Sequence, residues 1–188
     1  ANQPAADPND KIIAEYTAII AKNPKDAAAY YYRGCAYLAK NEFLLAVGDL
    51  TKAVELNPKD AAAFFSRGYA FYRLGEGWKD SEDRTRDFDR AIKDYSQAIK
   101  LDPAYGLVYA YRAFLYNKRD MHDEALADCN KALELGVKTP QTFFDKALAQ
   151  EKKGQYQEAV ATLRRLIEST TDQAVIARAK SIIKSLED

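Results

Sequence analysis

The residues of this 188-residue chain first to be weighed for nucleophilic, general-base or metal chemistry are one histidine, two cysteines and a large set of carboxylates. Cys35 and Cys129 lie 94 positions apart with no CxxC and no Cys/His cluster, so neither a zinc site nor a disulfide framework is indicated. Each reads as a small buried apolar side chain rather than a reactive thiol. His122 falls where Phe43, Phe88 and Tyr156 stand at equivalent places, which makes it a packing ring rather than a base or ligand. No HExxH, GxSxG, GxxxxGK or GxGxxG motif occurs. The reading is of a chain with no catalytic residues, no metal and no cofactor.

What the charged residues do show is periodicity. Arg33, Arg67, Arg112 and Lys146 recur in step, and so do Asp49, Asp94 and Asp128, with Thr162 last. Matching periods point to pairing: Arg67 with Asp49, Arg112 with Asp94 and Lys146 with Asp128 are expected to bridge neighbouring repeats, pairing inside one repeat being the alternative. Exposed pairs of this kind contribute about 0 to 1 kcal/mol each, so their benefit would be register.

The elements that position these residues come from the same period. Tyr30, Arg33, Gly34, Ala36 and Tyr37 return 34 positions on as Phe64, Arg67, Gly68, Ala70 and Phe71, and Pro24 returns as Pro58. The step then lengthens once to 45, from Phe43 to Phe88 and Ala46 to Ala91, which marks an 11-residue insertion, before 34 resumes at Ala125 and Ala159. A fixed period of this length signals stacked structural repeats. Within a repeat, Tyr30, Gly34 and Tyr37 share one helical face, as do Phe43, Ala46, Leu50 and Ala53, so each repeat holds two amphipathic helices of about 14 residues. The second helix ends before Asn57-Pro58, because proline disfavours the helical conformation in the residue before it.

These residues resemble the tetratricopeptide repeat, and the resemblance covers nearly the whole chain. The motif is filled by Tyr30, Gly34, Tyr37, Ala46, Leu50, Ala53 and Pro58, then by Phe64, Gly68, Phe71, Ala91, Tyr95, Ala98 and Pro103. The third repeat has Tyr109, Ala113, Tyr116, Ala125, Cys129 and Ala132, with Val137 in place of proline. The fourth keeps Phe143, Ala147, Ala159 and Leu163 but places Gln150 and Leu166 where an aromatic and an alanine are usual. The resemblance implies an all-α fold, a right-handed superhelix of four helix pairs with an extra helix at each end. The expected organisation is a flexible tail at 1–9 and a single domain at 10–188. That domain comprises a capping helix at 10–24, repeats at 27–60, 61–105, 106–139 and 140–171, and a last helix at 172–187 capped by Asp172.

In that family the first helix of each repeat lines a concave face, which maps here onto Tyr31, Cys35 and Leu38, then Phe65, Tyr69 and Tyr72, then Ala110, Phe114 and Asn117, then Phe144, Leu148 and Glu151. The next position adds Tyr32, Ser66, Tyr111 and Asp145. A face so rich in rings is expected to bind an extended or helical peptide of a partner protein through Tyr31, Tyr32, Cys35, Phe65, Tyr69, Tyr72, Tyr111, Phe114 and Phe144, unless curvature or the end helices bury those rings as core. The family's clamp for a chaperone's C-terminal carboxylate is not expected, since its Lys, Asn, Asn, Lys and Arg are replaced by Tyr31, Cys35, Ser66, Leu107 and Tyr111.

The alternatives to such a scaffold are a self-assembling structural unit, that is a homo-oligomer, or an accessory subunit of an enzyme complex. The insertion near 76–86 carries the sole tryptophan and dense charge, and is expected as a surface loop with Ser81 capping an early start of the next helix. Trp78 then either plugs the adjacent helix ends or touches the partner. With 28 Lys and Arg against 28 Asp and Glu there is no charge excess to attract nucleic acid, and no apolar run reaches the roughly 18 residues that span a bilayer. The polar, proline-containing stretch at the start fits a trimmed leader, which favours export or the periplasm over the cytoplasm.

Overall fold

The computed structural model describes residues 7–187, and among them every regular element is helical. The helices are α1 (Pro8–Lys22), α2 (Ala27–Ala39), α3 (Phe43–Leu56), α4 (Ala61–Gly77), α5 (Ser81–Leu101), α6 (Gly106–Lys118), α7 (His122–Glu134), α8 (Pro140–Lys152), α9 (Tyr156–Ser169) and α10 (Gln173–Glu187). From α2 to α9 they form consecutive pairs, with α1 before the first pair and α10 after the last. Most of the tail expected at 1–9 lies outside the described residues, while residues 8 and 9 already belong to α1.

Local signals set the boundaries. Asp26, Asp60, Asp80 and Thr139 accept hydrogen bonds from the first backbone amides of α2, α4, α5 and α8, and Asp172 does the same for Ala174 at the start of α10. Between paired helices the chain reverses through one left-handed residue, Asn41, Asp120 or Gly154, at the same place in three repeats.

The remaining repeat has Gly75 at that place, and it behaves differently. Gly75 stays within α4, buried so close to α5 that a Cβ there would sit 2.5 Å from Phe88 Cε1. With no reversal at Gly75, the chain runs on as helix. The insertion is therefore not the expected loop: α4 has 17 residues against 13 in α2, and α5 has 21 against 14 in α3, which accounts for every inserted residue. Ser81 is the first residue of α5, and Asp80 caps it. Trp78 lies between the helices, its Nε1 donating to Asp87 Oδ2 at 2.7 Å while the Arg84 guanidinium donates to its carbonyl at 2.6 Å.

The helices divide into two compact units between Asp102 and Pro103. In the first, Ala46, Leu50 and Ala70 form a core with Tyr37, Leu38 and Val47 against it, and Ala53, Val54 and Ala63 form another with Tyr30 and Phe64. Small residues set the helix spacing there. A Cβ on Gly34 would come within 2.8 Å of Leu50 Cγ, and one on Gly68 within 2.8 Å of Tyr95 Cε1. In the second unit Phe143, Phe144, Ala147, Leu163 and Leu166 are buried with Ala179 and Ile183 of α10.

The periodic ion pairs differ from the expectation. Arg33 bonds Asp49 at 2.6 Å, Arg67 bonds Asp94 at 2.7 Å and Arg112 bonds Asp128 at 2.7 Å, each within its own helix pair and each through two guanidinium nitrogens. The reason is geometric: the first-helix arginine and second-helix aspartate face each other across one hairpin. Asp128 is thus taken by Arg112 rather than by Lys146, and at the last position Thr162 donates to the Gln150 side chain. Asp94 and Asp128 are 4% and 6% exposed, so these are buried pairs rather than the surface pairs expected.

Candidate functional site

On the first unit the candidate rings come from α2 and α4. Tyr32 is half exposed, stacked on Tyr16 of α1 with centroids 5.2 Å apart and edge-on to Tyr31 at 5.3 Å. Tyr31 and Cys35 both bond Ser66 of α4, and burial pushes the Tyr31 phenol up to about 12. The Cys35 thiol is raised for the same reason, which keeps it protonated and a poor nucleophile. Tyr69 accepts from Arg73 Nη1 at 3.0 Å, and the Arg73 guanidinium lies over both Phe43 and Tyr69. The last two candidates lean toward the second helix of their pair: Phe65 packs on Tyr95 at 5.8 Å, and Tyr72 packs on Phe88 at 6.3 Å. Tyr32 is therefore the exposed ring of this face, while Tyr31, Phe65, Tyr69 and Tyr72 are each half-buried, Tyr31 packing against both cores of the unit.

On the second unit α6, α8 and α10 enclose a cavity of about 310 Å³. Phe114 forms one wall, half-buried, with the Lys118 ammonium 5.2 Å from its centroid. Phe144 forms another, only 7% exposed, packed in the core of the unit and with the Arg178 guanidinium over its ring at 4.1 Å. Tyr111 is half-buried on α6 and does not line the cavity. Sequence reasoning named neither Asp145 nor Arg178 as a site residue. The sequence signal was present, since Asp145 stands in the ring-bearing column and Arg178 on the basic side of an amphipathic last helix.

Asp145 is 5% exposed and accepts from Gln141 Nε2 at 2.9 Å, while its backbone carbonyl accepts from Asn117 Nδ2 at 2.9 Å. Burial lifts the carboxyl from 3.8 to about 6, against the pull of Gln141, Lys118 and Arg178. Because the folded value lies above the unfolded one, the stabilising contribution is complete below about pH 4 and lost as pH rises through about 6, amounting to at most about 3 kcal/mol. Urea denaturation should show Asp145→Asn gaining on the parent by up to that amount between about pH 4 and about pH 8. An offset that stayed flat across this range would contradict the burial.

The remaining candidates carry no reactive arrangement. Burial raises the Cys129 thiol well beyond the ordinary thiol range, and His122 holds Asn117 Oδ1 at 3.3 Å through Nδ1. Among the described residues no group of three or more His, Cys, Asp or Glu side chains is placed to hold a metal ion, and no helix is long and apolar enough to cross a membrane.

Comparison with known families meets this geometry at the helix pairs. A TPR repeat model matches residues 34–75, and tetratricopeptide repeat models match residues 80–141 and 141–169. The chain belongs to the tetratricopeptide repeat family. A curated relative is serine/threonine-protein phosphatase 5 of Homo sapiens, 31% identical over 77 residues. The match takes in 41% of this TPR chain and 15% of that protein's length. The structure of TTC0263, a thermophilic TPR protein of Thermus thermophilus, superposes with a TM-score of 0.69 at 21% identity, covering 92% of this chain and 89% of that one. The first TPR of Spaghetti (RPAP3), bound to the HSP90 peptide SRMEEVD, superposes with a TM-score of 0.60 at 20% identity, covering 68% and 93%. At these identities the likeness to the solved TPR structures establishes the fold. TPR repeats in general mediate interactions between proteins.

Proposed function

We propose that this TPR protein is a non-catalytic scaffold that binds a peptide segment of a partner protein on the faces of its first helices. The observation that carries this reading is the set of rings held part-exposed there, Tyr31, Tyr32 and Tyr69 on the first unit and Phe114 beside the cavity of the second. Rigid rings of this kind offer contact area at low entropic cost, and a patch of them gains free energy only when covered. A solved neighbour in the family holds an HSP90 peptide, which supports peptide binding as the mode. The residues Tyr31, Cys35, Ser66, Leu107 and Tyr111 supply no cation for a terminal carboxylate, so the peptide differs in chemistry from an acidic chaperone tail.

The test is capture. Phe114→Ala and Tyr69→Ala should each weaken retention of the partner by about tenfold or more, as for an aromatic anchor, with helical circular dichroism and melting unchanged. Equal capture by parent and both variants would refute the proposal. A second reading, self-association, is favoured by Leu44 and Leu45 of α3, which are 70% and 53% exposed beside a surface depression that includes Leu74. Light scattering across a dilution series decides it, because a monomer at every concentration removes that reading.

A further inference from the structure

The cavity between α6, α8 and α10 presents a nearly buried carboxylate that the chain itself leaves without a counter-ion. Asp145 lies in its lining, 5% exposed, and its carboxylate accepts one hydrogen bond, from the neutral Gln141 amide. Among the described residues no cation lies within ion-pair distance of it. Lys118 and Arg178 are nearby but exposed, each drawn onto a ring face, Phe114 or Phe144, rather than onto the acid. A carboxylate buried with one neutral donor retains much of its desolvation cost, and a charged donor entering the cavity offsets it.

We propose that this cavity takes a basic side chain, the lysine ammonium or arginine guanidinium of a bound peptide, seated against the Asp145 carboxylate. The proposal rests on the peptide-binding reading above and specifies its chemistry on the second unit. An acidic side chain is disfavoured at this depth, because it would bring a second negative charge against Asp145 while gaining only the water-exposed Lys118 and Arg178. The groups facing Asp145 are Lys118 from α6, the protonated Cys129 thiol from α7, Gln141 on its own helix and Arg178 from α10, with Glu151 farther along the cavity. Burial raises the Asp145 carboxyl to about 6, so the preference for a cation carries its titration.

The experiment selects peptides from a synthetic random octapeptide library on the purified chain, on Asp145→Asn, and on Phe114→Ala. At about pH 7.5 the parent should enrich Lys or Arg at one fixed position by about tenfold over input, the equivalent of one charge-assisted hydrogen bond. Asp145→Asn should lose that enrichment while keeping the apolar preferences at neighbouring positions. The parent alone at about pH 5, where the carboxyl is neutral, should show the same loss, which decides the matter even if the variant folds poorly. Enrichment of apolar residues without Lys or Arg, or enrichment of Asp or Glu, overturns this proposal and leaves peptide binding standing. Enrichment of nothing overturns both.

Discussion

Arg67→Met should destabilise the first unit by about 3–5 kcal/mol, the cost of leaving a buried carboxylate without its partner. The two nitrogens of Arg67 that reach Asp94, both at 2.7 Å, compensate a burial that already raises the Asp94 carboxyl. Methionine preserves most of the aliphatic volume and removes the charge. The loss should be larger at pH 7.5 than near pH 4.5, since the stranded carboxylate takes up a proton as pH falls and the neutral acid tolerates burial. Adding Asp94→Leu should recover most of the loss, because replacing both partners by apolar groups removes the stranded charge. Urea denaturation of the two single variants and the double variant measures all three terms. If Arg67→Met were neutral, the pair would not be the buried lock that its geometry describes.

Phe143→Ala should cost the second unit about 3–5 kcal/mol, the range for removing a large buried ring. Phe143 is 2% exposed and sits among Leu163, Leu166 and Ala179, in a cluster that joins α8, α9 and the last helix. Hydrogen exchange should place the loss of protection on α8, α9 and α10. Phe114→Ala is the contrasting case: its ring borders a cavity, so its truncation should leave those amides protected. If the two substitutions lowered protection equally, the distinction between the core ring and the cavity ring would fail.

The sequence made the helix pairs legible because close packing demands small residues at fixed intervals. Gly34 and Gly68 recur because a side chain there would strike Leu50 or Tyr95, and the alanines Ala46 and Ala91 recur at positions with no exposure at all. The end helices were equally readable from one-sided apolar faces, down to Asp172 as the cap of α10. The ion pairs were readable as a set and misassigned as partners. Periodicity shows that Arg67 and an aspartate belong together, yet Asp49 and Asp94 share one period, and only the crossing of two helices selects between them. The insertion misled because charge density is common to surface loops and to solvated helices. The informative residue there is Gly75, which repeats as a turn position elsewhere and remains helical here.

The candidate site was legible as a column of rings but not as a set of exposures. Helical spacing places Phe65 and Tyr69 four positions apart on one face, and says nothing about how far each ring turns toward the second helix. Phe65 reaches Tyr95 and Tyr72 reaches Phe88, while Tyr69 stays with Arg73. Phe144 is covered through Arg178, which stands one 34-residue period later on the last helix, and the period alone does not say that a guanidinium there lies over the ring. Asp145 was placed on the face but not among its binding residues, because an aspartate on a helix is ordinarily solvated, and its burial depends on Gln141 and the last helix closing around it.

The extended α4–α5 hairpin has a consequence for spectroscopy. The indole of Trp78, the sole such chromophore, is fixed at the tip of that hairpin by Asp87, a residue 2% exposed. Its emission therefore reports the environment of one helix junction, where red-shift and quenching follow rupture of a single indole–carboxylate bond. A melting curve recorded at that wavelength describes the tip, and far-ultraviolet dichroism or tyrosine absorbance is needed to follow the remaining helices.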